Sequence, residues 1–281
     1  METRLGGREM KREEIRVCIL RVGGTNCDAE TRRAFQESGM KADVVHFDQL
    51  VKQAALLDYH ILVIPGGFSH GDYVRAGAIW AKRLMAKIGK EVERFVDEGR
   101  PILGICNGFQ VLVEAGLLPQ FDGISSFPEA ALGTNIPSGY NCRWVYLRHE
   151  NKGSCIFTRN ISKDSVVRIP VAHSEGRFMF AKENGKKHLE RLLEEGGLVF
   201  RYCQPGGEYA DGEYPSNPNG SFHDIGGICN PSGTIFGLMP HPERAYFGWQ
   251  LPDWTQGEAV PAFGDGRLIF ESVAEHLTKK P

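Results

Sequence analysis

No apolar run in the chain approaches the roughly 20 residues that a membrane-spanning helix needs. Neither sign of charge is in excess. Lys and Arg total 33 against 35 Asp and Glu, a formal net charge of −2, and that balance argues against a nucleic-acid binder. The phosphate-binding patterns GxGxxG and GxxxxGK[ST] are missing, so no nucleotide site is expected. No two cysteines are spaced CxxC, and no Cys/His group has zinc spacing, so no metal site is expected either. The seven cysteines are an odd number and scattered, which suits free thiols in a reducing cytoplasm. Repeats, low-complexity tracts and Ser/Gly linkers are lacking. The stretch from Met1 to Arg16 mixes Arg, Lys and Glu without an apolar core, so it is not expected to be a secretory signal. Residues 1–12 read as a flexible tail, with Met10 as an alternative start.

What is present is an ordinary core-forming composition, 41% hydrophobic and 24% charged over 281 residues, enough for one sizeable domain. Strands are expected at 15–22, 42–47 and 61–64, with a helix at 29–38 stopped by Gly39 and a long helix at 76–97 stopped by Gly99. A further short apolar run at 101–103 precedes a helix that ends at Gly116. This alternation predicts an α/β fold with a mostly parallel central sheet. Ligands then bind at the carboxyl ends of the strands, where the loops 23–28, 66–72 and 104–108 lie. After Leu118 the texture changes. Residues 121–139 read as an ordered loop. Strands follow at 143–147, 166–171, 198–203 and 225–229, and Asn230-Pro231-Ser232-Gly233 turns the last of these into a hairpin with 234–239. An amphipathic helix at 267–277 closes the chain. Cys18, Cys142, Cys155, Cys203 and Cys229 read as small buried strand residues and Cys27 as a loop residue.

One cysteine is different. Cys106 stands in Gly104-Ile105-Cys106-Asn107-Gly108, between an apolar strand and a helix. A thiol at such a crest is a nucleophile elbow, and the flanking glycines relieve a strained, crowded turn. The positive end of the helix dipole favours its thiolate.

A thiol nucleophile needs a base that takes its proton and later hands one to the leaving amine. Pro240-His241-Pro242-Glu243 ends an apolar strand and offers one. In an extended segment residues two apart face the same way, so Glu243 can orient His241 and stabilise its imidazolium. Negative charge that builds on the attacked carbonyl oxygen needs backbone N–H groups. The N–H of Asn107 is placed by the elbow itself. A second is expected from Pro65-Gly66-Gly67-Phe68, which read alone is equally a plain tight turn. Gly23-Gly24-Thr25-Asn26 reads as a structural or interface loop.

Gly-Ile-Cys-x-Gly-x-Gln with a distant His-Pro-Glu resembles the class I glutamine amidotransferases. The resemblance narrows over residues 15–250. Cys106-Asn-Gly-Phe-Gln110, Pro65-Gly-Gly-Phe-Ser-x-Gly-Asp72, Arg75-Ala-Gly-Ala78, Cys142-Arg-Trp-Val145, Ala172-His-x-Glu-Gly-Arg-Phe178, Asn217-Pro-Asn-Gly-Ser221 and Pro240-His-Pro-Glu-Arg-Ala245 together resemble the glutaminase subunits of phosphoribosylformylglycinamidine synthase. The resemblance implies a single-domain, flavodoxin-like glutamine amidotransferase fold over 13–281, with antiparallel strands added in the second half. It implies that glutamine is hydrolysed through a Cys thioester. The ammonia would pass to a large ATP-dependent synthetase subunit, with a small bridging subunit completing the complex. No cofactor is then expected in this chain, ATP and Mg belonging to the partner. Cys106 would be the nucleophile, His241 the base and Glu243 its orienting acid. Gly67 and Asn107 would form the oxyanion hole, Gly66 and Phe68 would belong with them to the substrate-binding residues, and Gln110 would lie beside the glutamine pocket. His173 and Glu175 match a family segment near the site, with substrate-side, partner-side and structural roles all open.

Ser174 stands where the family commonly has Gly, and Gly23 where it commonly has Pro. Residues 246–265 extend past shorter members and are expected to pack on the synthetase subunit. Without the resemblance the residues support only a Cys-His-Glu amide hydrolase on an α/β fold. An amidotransferase serving another acceptor and a Cys-elbow sensor or chaperone-like protein are the alternatives.

Overall fold

The computed structural model describes residues 10–256 and 259–279. In chain order the first half holds β1 (Arg16–Arg21), α1 (Asp28–Glu37), β2 (Lys41–His46), α2 (Phe47–Gln53), β3 (Ile61–Ile64), α3 (Ala78–Asp97), β4 (Ile102–Ile105) and α4 (Asn107–Glu114). The second half holds β5 (Ala131–Gly133), β6 (Asn141–His149), β7 (Val166–His173), β8 (Arg177–Met179), α5 (Gly185–Glu194), β9 (Leu198–Cys203), β10 (Ile225–Cys229), β11 (Ile235–Leu238) and α6 (Arg267–Thr278).

Nine strands form one sheet in the order β2-β1-β3-β4-β11-β10-β9-β6-β7. The first five run parallel and the remaining pairings are antiparallel. β5 and β8 make a separate two-stranded antiparallel ladder. The mostly parallel α/β sheet with antiparallel strands added in the second half is therefore as expected. The parallel core follows from its residues. β3 and β4 are four-residue runs buried at every position, as strands covered on both faces must be. All eight residues of α4 are buried as well. α3 lies beside α4, and Trp80 of α3 meets Phe47 of α2 edge to face at 4.5 Å. Each large apolar side chain so buried contributes roughly 1.5–3 kcal/mol.

Several expectations need correction. The long helix starts at Ala78, because Gly77 at φ 77° takes the left-handed N-cap position. α2, α5 and the β5–β8 ladder were not expected. α2 has only seven residues and buries Phe47 and Leu50, too short a run to show a period, whereas α5 does carry a helical stripe in Leu189, Leu192 and Leu193 among charged residues. Cys155 lies in a turn and Cys142 is exposed, so two of the five cysteines expected as buried strand residues are not. Of the expected tail, residues 1–9 lie outside the described residues, but Arg12 begins a short 3₁₀ turn and bonds Glu271 of α6 at 2.7 Å. The extension after Ala245 is anchored on its own chain at its start, while Trp249, Trp254 and Phe263 stay exposed. Tyr246 is buried against Phe270 and Phe263, and the Arg33 guanidinium of α1 stacks 4.7 Å from the Phe247 ring.

Candidate active site

The elbow is strained in the way its sequence implies. Cys106 has φ 51° and ψ −106°, a conformation that costs a non-glycine residue on the order of 1–3 kcal/mol. Burial of Phe109, Val111, Leu112 and Val113 immediately after it outweighs that cost. The flanking glycines are sterically required. A Cβ on Gly108 would sit 1.8 Å from the Ile64 carbonyl oxygen, and one on Gly104 would sit 2.7 Å from that of Gly108. α4 can therefore press directly onto β3. The Cys106 N–H donates to Leu238 O at 2.8 Å, which ties the elbow to the end of β11.

β11 is the parallel neighbour of β4, with Leu238 opposite Ile105. The chain leaving β11 therefore carries His241 to the elbow. His241 Nδ1 and Glu243 Oε1 are 2.6 Å apart, and both side chains are buried. Nδ1 faces the carboxylate, so its proton rests there and Nε2 is left to exchange one. Nε2 has no hydrogen-bond partner among the described residues. Burial works against charge on His241. The Glu243 carboxylate and the thiols of Cys106 and Cys27 overcome it and raise its proton affinity well above the ordinary value. The two residues do face one another, but not as neighbours in an extended strand. Glu243 sits in a 3₁₀ turn, Pro242–Ala245, of which His241 is the extended N-cap.

The glycine pair after β3 borders the same space. A Cβ on Gly66 would fall 2.7 Å from His241 Cε1, so only glycine lets the imidazole lie there. Gly67 has φ 155°, and a Cβ would meet Gly24 O at 2.6 Å. Neither the Gly67 nor the Asn107 N–H donates to a backbone carbonyl among the described residues. Phe68 differs, since its N–H donates to Gly24 O at 2.8 Å; it reaches the cleft as a wall residue. The loop at 23–27 is structural in this respect. It backs the glycine strand, with Cys27 N–H also bonded to Gly66 O at 3.2 Å.

Cys27 was read as an ordinary loop thiol. Its sulfur lies 3.8 Å from His241 Nδ1, and burial pushes its pKa up. Cys27, His241 and Glu243 thus gather S, N and O atoms within 4.8 Å. The group is poorly suited to a metal. Nδ1 is already held by Glu243, and the Arg244 guanidinium donates to the Cys27 sulfur at 3.1 Å.

The cleft beside Cys106 is lined by Gly67, Phe68, Asp72, Ala76, Gln110 and the segment 172–175. Asn107 Nδ2 donates to Gln110 Oε1 at 2.9 Å, and Gln110 Nε2 donates to the Glu175 carbonyl. Gln110 therefore lines the cleft and also holds the Glu175 turn. Asn135, buried and absent from the expected set, shapes that turn from the other side. Its Oδ1 accepts from Gly176 N–H at 2.9 Å, and its Nδ2 donates to His173 O at 2.9 Å. Burial, aided by charged His241, lowers the His173 pKa to about 3, so it stands neutral in the cleft wall. Asp72 ends the Gly-Gly-Phe loop with φ 52°, and burial followed by the Glu175 charge pushes its pKa up to about 6. The parts expected from sequence thus converge on one cleft. Cys27, Asp72 and Asn135 were missed. Asp72 lay inside a quoted motif, whereas nothing local marks the other two.

Comparison with known proteins agrees with this geometry. Residues 14–277 match the CobB/CobQ-like glutamine amidotransferase domain. The phosphoribosylformylglycinamidine synthase subunit PurQ of Archaeoglobus fulgidus is 49% identical over 280 residues, covering 96% of this chain and 100% of that protein. The PurQ subunit of Methanothrix thermoacetophila is 40% identical over 276 residues, covering 95% and 99%. Among solved structures, PurLQS from Thermotoga maritima contains a chain with a TM-score of 0.70 and 32% identity, covering 94% of this chain and 99% of that one.

Proposed function

We infer the function from the premise that this chain belongs to the CobB/CobQ-like glutamine amidotransferase family. It is the glutaminase subunit of phosphoribosylformylglycinamidine synthase, an enzyme of purine biosynthesis. Its partners are the counterparts of PurL and PurS, with which its relative forms PurLQS. The ammonia it releases is used by the synthetase subunit to convert formylglycinamide ribonucleotide to the formylglycinamidine. ATP and magnesium act on that subunit, and this chain's step needs neither. We assign the chain to the cytoplasm. All seven cysteines are free, and no helix of the described residues is long and apolar enough to cross a membrane.

The mechanism we propose for the site runs as follows from its groups. His241 takes the Cys106 thiol proton at Nε2 and holds it as an imidazolium paired with Glu243. The thiolate sulfur attacks the side-chain carbonyl carbon of glutamine, and the oxygen gains the charge. The N–H groups of Asn107 and Gly67, both free of backbone acceptors, take that charge. Such a donor is worth about 10²–10³ in rate. Collapse breaks the C–N bond, and His241 returns its proton to the departing nitrogen, which leaves as ammonia. A γ-glutamyl thioester remains on Cys106. Water then attacks the thioester with His241 as base, giving glutamate and the free thiol.

The observation that supports this most directly is the buried 2.6 Å His241–Glu243 pair, its Nε2 unpaired among the described residues, in the turn that follows β11, the strand beside β4. Cys106→Ala in the reconstituted complex tests it. Glutamine-dependent synthesis should fall on the order of 10⁴–10⁶-fold, while synthesis from added ammonium salt persists. A glutamine-mimicking diazoketone should label Cys106 in intact-mass measurements. Full glutamine-dependent turnover in the alanine variant would discard the assignment.

A further inference from the structure

The cleft carries a charge feature that the hydrolytic steps do not use. Asp72 and Glu175 both line it, one from the loop after β3 and one from the turn between β7 and β8. Each is held by neutral donors. Asp72 accepts from Asn107 Nδ2 at 3.2 Å and from the Gly77 N–H. Glu175 Oε2 accepts from the Ala76 N–H at 3.1 Å. No cation is among the groups acting on Asp72; its only charged neighbour there is Glu175. Arg75, three residues after Asp72, is paired with Glu114 instead, and among the described residues no Lys, Arg or His lies within ion-pair distance of Asp72 or Glu175. His173 shares the same wall, is 3% exposed and has no hydrogen-bond partner at Nε2 among the described residues. Since burial keeps it neutral, it adds a polar atom to the cleft but no positive charge.

Two half-buried carboxylates that face one cleft without a countercharge repel each other, and a cation placed between them relieves that repulsion. Resting on the glutaminase reading above, we propose that Asp72 and Glu175 form the subsite that binds the α-ammonium group of glutamine and so select an amino-acid amide over a simple amide. The arrangement is pre-formed. The Asn107 side chain that bonds Asp72 also bonds Gln110, and Gln110 bonds the Glu175 backbone. The Asp72 carboxylate and the Glu175 backbone are therefore tied to the first turn of α4, directly after the nucleophile. This fixes the distance from the ammonium subsite to Cys106, so a glutamine anchored at its α-nitrogen presents its side-chain amide to the thiol. Positioning of that kind separates a substrate from a shorter or unanchored amide.

The test compares glutamine with 4-carbamoylbutanoate, the same amide without the α-amino group, in the reconstituted complex. The wild-type complex should favour glutamine in kcat/KM by at least tenfold, since hydrogen bonds to a charged group are worth about ten- to a hundredfold. Asp72→Asn and Glu175→Gln should each raise KM for glutamine about ten- to a hundredfold, with kcat changed far less. The deamino amide should lose much less, so the preference for glutamine collapses. Synthesis from ammonium salt, read on the same preparations, reports an intact complex. A wild-type complex that uses the two amides equally well would overturn the subsite, whatever the variants do. So would variants that lose both substrates in equal proportion. Failure of the wild-type complex to use glutamine at all would instead overturn the glutaminase reading.

Discussion

The two halves of the central sheet do different work. In the parallel half, β2-β1-β3-β4-β11, strands end on the same edge, and three of those ends carry Gly66-Gly67, Cys106 and His241-x-Glu243. In the antiparallel half, β10-β9-β6-β7, strands run both ways; the turn after β7 lines the cleft with His173 and Glu175, and Tyr140 before β6 packs 6.3 Å from the Phe68 ring beside it. Parallel strands converge several loops on one edge, where chemistry can be assembled from distant parts of the chain. Antiparallel strands send their loops to opposite edges, so this half supplies one wall of the cleft and much of the stability around it.

This division can be broken by experiment. On the parallel side, His241→Ala should lower glutamine-dependent kcat by about 10²–10⁴-fold, with folding intact by circular dichroism. Near-normal turnover would remove His241 from the proton path. Gly66→Ala should act in the same direction but less. Its methyl group would lie 2.7 Å from His241 Cε1 and 3.1 Å from the Cys27 sulfur, so the ring must shift. A displacement near 1 Å costs about 100-fold, and a loss between 10- and 100-fold in kcat is expected, with KM moved little. An unchanged kcat would mean the ring does not need that position.

The antiparallel side should answer differently. Asp224, at the start of β10, is buried and accepts hydrogen bonds from the N–H groups of Asp211 and Gly212, from Asn217 Nδ2 and from Arg201. Asp224→Ala removes the carboxylate paired with Arg201 and leaves the Asp211 and Gly212 N–H groups without it, and breaking a buried pair of this kind costs about 3–5 kcal/mol. The midpoint of urea denaturation should fall accordingly, while kcat per folded molecule stays within about twofold. A large loss of kcat with stability preserved would erase the distinction between the halves.

The parallel half was also the more legible in sequence. Ile61–Ile64 and the run into Cys106 are short, wholly apolar and bounded by glycine and proline, which a doubly covered strand requires. The turn Asn230–Gly233 announced the β10–β11 hairpin. Less could be read where the signal was weak or distributed. β5 and β8 are three residues each, held by one another rather than by local propensity. The His241–Glu243 contact was expected for an extended pair, yet it is made by a 3₁₀ turn, because Pro242 begins that turn at its first position. Cys27 gave no local hint of its place beside His241. The two are 214 positions apart, and their contact depends on β1, β3 and β11 ending on one edge.

The sequence by itself determined the α/β class, the strained Cys106 elbow, and the glycines and His-x-Glu segment that serve it. Those are demands of local geometry: a tight turn needs glycine, and a buried parallel strand needs an apolar run. Only the tertiary structure decided that Asp72 and Glu175 share a cleft without a countercharge, that Asn135 and Gln110 hold the turn presenting Glu175, and that Cys27 backs the imidazole. Those relations join residues far apart in the chain. They arise when strand order and register bring several loops to one edge, and no local sequence pattern encodes that convergence.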